Sequence, residues 1–346
     1  MATAPAQPTA PRYDVHAHVG ADFGFYLRGW WPYSCTVQDL LQHLDDAGID
    51  RAVCFPFTFS SAYDPYAFAD GSRVTLLPGR VPFDRENMLL VRELDRIDVD
   101  RRLYPLAMFD PTRRVAEQIR NVEQLTGRIA GLKTQPTIIE SPIRGLLDEG
   151  RDLMALAEQH DWPVLIHTAI YAQDPFSQVA DCIAVAAAYP KVRFNLAHSL
   201  RFHADYLRAA AQLPNVWVDC AAHLAGCQLA RDPDSPFIAP RGHRVDADYA
   251  RPAEVLTVIH EMLAGRYLWG SDNPFMSWAD DMIRVVFSYR DEIEVLGALP
   301  ERVRRDMMSA AAEEWLFGVG PASCRSGPAG SRFHTDERPG DEECSA

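Results

Sequence analysis

Lysine is almost missing from this chain. Lys133 and Lys191 are the only two in 346 residues, so arginine carries nearly all the positive charge. Positive charge is scarce overall: 34 Lys and Arg against 48 Asp and Glu leave a formal net charge of −14. Such a surface argues against nucleic acid or an anionic membrane as the main partner. Long apolar runs are missing too. No stretch approaches the roughly 20 residues of a membrane helix. The opening "MATAPAQPTAPR" lacks the apolar core of a secretory signal. The seven cysteines are odd in number and include no C-x-x-C pair. That suggests reduced thiols and a cytoplasmic protein rather than a disulfide frame.

Several catalytic signatures are also absent. The chain has no G-x-G-x-x-G, no Walker A motif and no G-x-S-x-G elbow. "HEMLA" at 260–264 lacks the second histidine of H-E-x-x-H. "GSDNP" contains Ser-Asp-Asn, but neither lysine has a serine three residues before it, so the S-x-x-K partner is missing.

What is present is ordinary globular composition, 47% hydrophobic and 24% charged. Residues 1–10 read as a flexible arm. Residues 319–346, rich in Gly, Pro, Ser and charge, read as a disordered tail. Between them, eight short apolar runs alternate with amphipathic stretches. The runs are 13–19, 51–57, 102–110, 129–136, 163–169, 193–199, 216–222 and 267–274. Near-continuous apolar runs suit parallel strands buried on both faces. Eight alternations imply a closed (β/α)8 TIM barrel over 11–318, with a doubly wound open sheet as the alternative. Helices are expected at 278–290 and 301–317, among others. The long connections 20–35, 58–84 and 226–251 follow strands, so in a barrel they crowd the C-terminal face and shape a substrate pocket.

Polar residues gather at these strand ends. "YDVHAHVG" places His16 and His18 two apart, so in a strand both rings share a face, with Val15 and Ala17 opposite. Lys133 lies on strand 4, His167 ends strand 5, His198 strand 6, Asp219 strand 7 and Asp272 strand 8. Imidazole and carboxylate suit zinc, or manganese, iron and cobalt, at one mouth. Arg201 and His203, just past strand 6, are candidates for an anionic substrate. His223 is a candidate pocket residue, and Asp219 either orients a ligand or faces the barrel interior. Trp30, Trp31, Tyr26, Tyr171 and Phe275 are candidates for an aromatic wall.

The combination of "DVHAHVG", "GLKTQP", "VLIHTA", "FNLAHS" and "LWGSDNP" resembles the amidohydrolase superfamily, in particular the branch that includes small-acid decarboxylases and lactonases. The ending "MMSAAAEEWLFG" resembles that branch's closing helix without its usual Asn. The resemblance implies that His16, His18, His167 and Asp272 bind one divalent metal, most simply Zn2+. It implies that Asp272 and His198 are catalytic, and that Lys133 or His198 serves a second metal or the substrate. Metal-activated water would then cleave an amide, lactone or ester bond of a small molecule. The alternative is non-oxidative decarboxylation of a small carboxylic acid. Decarboxylases of that branch often keep an acidic residue shortly after H-x-H, and Asp22 is the only nearby one here. Related barrels often form homodimers.

Overall fold

The computed structural model describes residues 10–318. The arm at 1–10, Ala10 apart, and the tail at 319–346 lie outside the described residues. Among the described residues, eight parallel strands follow one another around the barrel. They are β1 (Tyr13–Ala21), β2 (Arg51–Pro56), β3 (Leu103–Met108), β4 (Gly131–Thr134), β5 (Val164–Ile166), β6 (Phe194–Leu196), β7 (Val216–Asp219) and β8 (Tyr267–Leu268). A further short strand, Ser34–Cys35, pairs antiparallel with the end of β1.

The ring closes where β1 meets the chain leaving β8. Val15 N donates to Trp269 O at 3.1 Å, Asp272 N to His16 O at 2.8 Å and His18 N to Asn273 O at 2.6 Å. A doubly wound sheet would set β1 inside the sheet between two parallel neighbours, and an open sheet in this sequential order would leave β1 and β8 apart. The fold is therefore the (β/α)8 TIM barrel that the alternation implied.

Strand composition explains the two layers. Val164 and Ile166 of β5 pack outward under the helices, while Leu165 joins the inner cluster with Phe55, Met108, Trp217 and Leu268. β1 departs from simple alternation. Its register slips between Asp14 and Ala17, so Val15 joins the inner cluster while Ala17 and Val19 pack outward. Such a bulge re-aims side chains at a strand end. Here it turns His16 and His18 inward to ring contacts with Phe55 at 5.1 and 4.6 Å.

Two expected helices differ. Over 278–290 the chain forms a small hairpin, Trp278–Ala279 against Arg284–Val285, and helix begins only at Tyr289. Asp280 explains it: its carboxylate accepts from Met282 N and Ile283 N, both at 2.7 Å, and from Trp278 Nε1. Those bonds favour a turn over a helix. Ser288 then caps the real helix in a reciprocal box with Asp291. Over 301–317 the helix is interrupted by a wide π-turn at Asp306–Ala310. The last turns place Ala311, Ala312, Trp315 and Leu316 in the inner cluster.

Candidate metal centre

Barrel closure brings residues more than 250 positions apart into one site. His16, His18 and Asp272 are buried, and their ligating atoms lie within 4.8 Å of one another. His16 Nε2 stands 3.2 Å from Asp272 Oδ1, and His18 Nε2 stands 3.3 Å from the same oxygen. His16 Nε2, fully buried, has no hydrogen-bond partner among the described residues. Burial holds His18 down to about 4, against the pull of Asp272, so its imidazole is neutral and carries a lone pair at neutral pH. Converging nitrogen and carboxylate lone pairs fit a divalent cation. Gly270 makes the approach feasible: a Cβ there would lie 2.6 Å from that of His16. Asp14 pins the same crossing, accepting from Ser271 N at 2.9 Å, Ser271 Oγ at 2.6 Å and Tyr289 OH at 3.0 Å.

The other side of the mouth is a chain of hydrogen bonds. Arg201 Nη2 donates to His167 Nε2 at 3.2 Å, His167 Nδ1 to His198 Nε2 at 2.9 Å, and His198 Nδ1 to Ala221 O at 3.0 Å. A guanidinium only donates and a carbonyl only accepts, so the two ends fix the tautomers of both neutral rings. Burial keeps them neutral, holding His167 well below its ordinary value and His198 down to about 3. His198 Nδ1 also stands 3.8 Å from Asp272 Oδ2. The structure thus brings three of the four expected metal ligands together, while His167 has both ring nitrogens engaged elsewhere.

This side is carried by an unusual backbone. His198, Ser199, Leu200, Arg201 and Phe202 all have positive φ, between 47° and 62°. Left-handed helical backbone costs non-glycine residues roughly 1–2 kcal/mol each. Four of the five, Leu200 excepted, line the cavity. Leu200 is buried in the core, and Ser199 Oγ is bonded to Tyr267 OH at 2.7 Å. No glycine in "HSLRF" signals this turn.

The cavity holds about 320 Å³, within the range of small-molecule sites. His18, Asp272, His167, His198 and Arg201 form its polar side. Phe25, Trp30, Phe237, Phe275 and Trp278 give it aromatic walls. All three long connections reach it, through Trp30, Thr58 and Phe237. His223 lines it, with Nε2 bonded to Pro252 O at 2.9 Å. His203 does not: it packs on Tyr206 and His243. Tyr171 stands behind the wall, against Phe237. Tyr26 and Trp31 are exposed instead. Lys133 is wholly buried with Nζ 5.0 Å from the Phe55 ring centre and no hydrogen-bond partner among the described residues, and burial lowers it to about 7. Asp22 is taken up by backbone, accepting from Phe25 N at 2.9 Å and Phe59 N at 3.0 Å.

Sequence reasoning missed Thr58, Gln135 and Trp278. Gln135 had a signal, two residues past Lys133 at the same strand end. Trp278 had none once its segment read as helix.

No curated protein matches the sequence. Solved structures do match in fold. A candidate 2-pyrone-4,6-dicarboxylic acid hydrolase from Pseudomonas putida is 17% identical, with 89% of this chain and 98% of that one covered at a TM-score of 0.54. An amidohydrolase from Burkholderia multivorans with bound zinc is 14% identical, covering 89% and 99% at 0.59. The 2,6-dihydroxybenzoate decarboxylase from Rhizobium is 12% identical, covering 89% and 99% at 0.55. The model of the amidohydrolase family Amidohydro_2 matches residues 13–318, nearly the whole described chain, and the protein belongs to that family.

Proposed function

We propose that the protein is a metal-dependent hydrolase that cleaves an amide, lactone or ester bond of a small anionic molecule. The observation that carries this reading is the meeting of His16, His18 and Asp272 beside an aromatic-walled cavity. His16, His18 and Asp272 would hold a divalent ion, which would supply Lewis acidity and lower the pKa of water toward about 7. The donor set of two imidazoles and a carboxylate suits zinc, with manganese, iron or cobalt accommodated by the same atoms. His167 joins as a fourth ligand only by giving up its bond to His198 or to Arg201.

The chain's own residues do the rest. Asp272 accepts the proton of the attacking water and returns it to the leaving group. His198, whose Nδ1–H stands 3.8 Å from Asp272 Oδ2, donates to the carbonyl under attack by giving up its bond to Ala221 O. Arg201 spends Nε on Thr168 O at 2.7 Å and Nη2 on His167. Its remaining donors serve a substrate carboxylate, and the aromatic wall holds the apolar body.

Decarboxylation is the second reading. It has the support of a decarboxylase on the same fold and of an arginine placed to hold a carboxylate near the ion. Against it, the acidic residue after H-x-H is occupied as a backbone cap. Metal analysis, with proton release on lactones and esters, amine release from amides and CO2 release from carboxylic acids, tests both. Proton or amine release that stops with chelator is expected. CO2 release would move the assignment to the second reading. A metal-free protein, fully active in chelator, would overturn both.

A further inference from the structure

Asp219, at the end of β7, has no exposed surface, and its carboxylate is saturated. Oδ2 accepts from His16 Nδ1 at 2.9 Å and from Asn195 Nδ2 at 2.8 Å. Oδ1 accepts from the backbone N–H groups of His198 and Ala221, both at 3.0 Å. A carboxylate holding four donors has little capacity left for an ion or a substrate. It also stands outside the cluster of His16, His18 and Asp272. Its donors come from both halves of the site: one is a ring of the ligand cluster, another the first N–H of the left-handed turn.

We propose that Asp219 is the positioning residue of this centre. It fixes the tautomer of His16 and anchors the start of the turn that carries His198 and Arg201. This inference rests on the metal-binding reading above. An ionised carboxylate only accepts, so His16 carries its hydrogen on Nδ1. Its Nε2 is then the atom left for an ion, 3.2 Å from Asp272 Oδ1. Loss of such a partner behind a metal-binding histidine costs about 10–100-fold in metal affinity.

Asp219→Asn separates positioning from bulk. The amide keeps one oxygen, which can stay with the two backbone N–H groups. Its N–H then meets His16. Asn195, whose Oδ1 has no hydrogen-bond partner among the described residues, can turn its own amide over to match. His16 must accept at Nδ1 and carry its hydrogen on Nε2, where it blocks an ion.

The test uses the full chain with 15N-labelled histidine, stripped of metal and held at a pH where the His16 ring is neutral, with ring tautomers read by NMR and zinc affinity by competition with a chelating dye. The wild type is expected to hold His16 as Nδ1–H. Asp219→Asn is expected to switch it to Nε2–H and to weaken zinc about 10–100-fold. Asn195→Ala, which removes only a neighbouring donor, is expected to leave the tautomer unchanged. A merely structural role would lower the melting temperature without moving the tautomer. An Nε2–H His16 in the wild type, or unchanged zinc affinity in a folded Asp219→Asn, would overturn the proposal. If Asp219→Asn does not fold, the wild-type tautomer decides. A wild type that binds no zinc would sink the metal reading instead, and the tautomer would still test Asp219.

Discussion

The two sides of the mouth solve opposite problems with the same kind of side chain. On the β1–β8 side, two histidines face one carboxylate oxygen at 3.2 and 3.3 Å, and His16 Nε2 has no hydrogen-bond partner among the described residues. On the β5–β6 side, both ring nitrogens of His167 and of His198 are bonded, in a chain from Arg201 to Ala221 O. Unshared, converging lone pairs suit a cation. A saturated chain suits orientation. Histidine count alone distinguishes neither; what differs is whether each nitrogen already has a partner.

Breaking the first side should have the largest effect. Asp272→Ala or His16→Ala should drop bound zinc from about one ion per chain toward none, measured by elemental analysis, with turnover lost together with the metal. Retained stoichiometry in both variants would erase the contrast. Next comes His198→Asn, which should lower kcat by roughly 10²–10⁴-fold while bound metal stays. Loss of half the metal would instead make His198 a ligand of a second ion.

Smaller effects sharpen the contrast within the second side. Arg201→Gln removes a charged hydrogen bond to the substrate worth about 1.5–3 kcal/mol, so KM for an anionic substrate should rise by roughly 10–100-fold. A similar rise for a neutral analogue would mean that Arg201 acts only through His167. The smallest effect lies beneath the site. Glu292 accepts from Leu224 N at 3.0 Å, and burial pushes its carboxyl from 4.5 up to about 8. The folded chain therefore holds this proton more tightly than the unfolded one. Its contribution to stability is full below about pH 4.5 and is lost as pH rises toward about 8. Glu292→Gln should flatten that slope in denaturant titrations across this range; an unchanged slope would assign it to other groups.

Much of this was legible beforehand because the relevant signals are local. Alternating apolar runs marked all eight strands, and His16, His18 and Asp272 sit at strand ends that sequence alone could place. Failures arose where a single contact outweighs the pattern. Asp280 converts a helical-looking stretch into a hairpin through side-chain bonds to Met282 and Ile283. The bulge in β1 moves Val15 inward although alternation put it outward. His203 and Tyr171 follow promising strand ends, yet packing turns them onto His243 and Phe237.

The sequence by itself determined the barrel and the inventory of its mouth, because strand periodicity and residue chemistry are properties of neighbours along the chain. Only the tertiary structure decided which nitrogens remain free. That depends on ring closure, which sets His16 against Asp272, on Asp219 behind His16, and on five left-handed residues that no glycine announces. Hydrogen-bond saturation is a property of atoms brought together from distant strands.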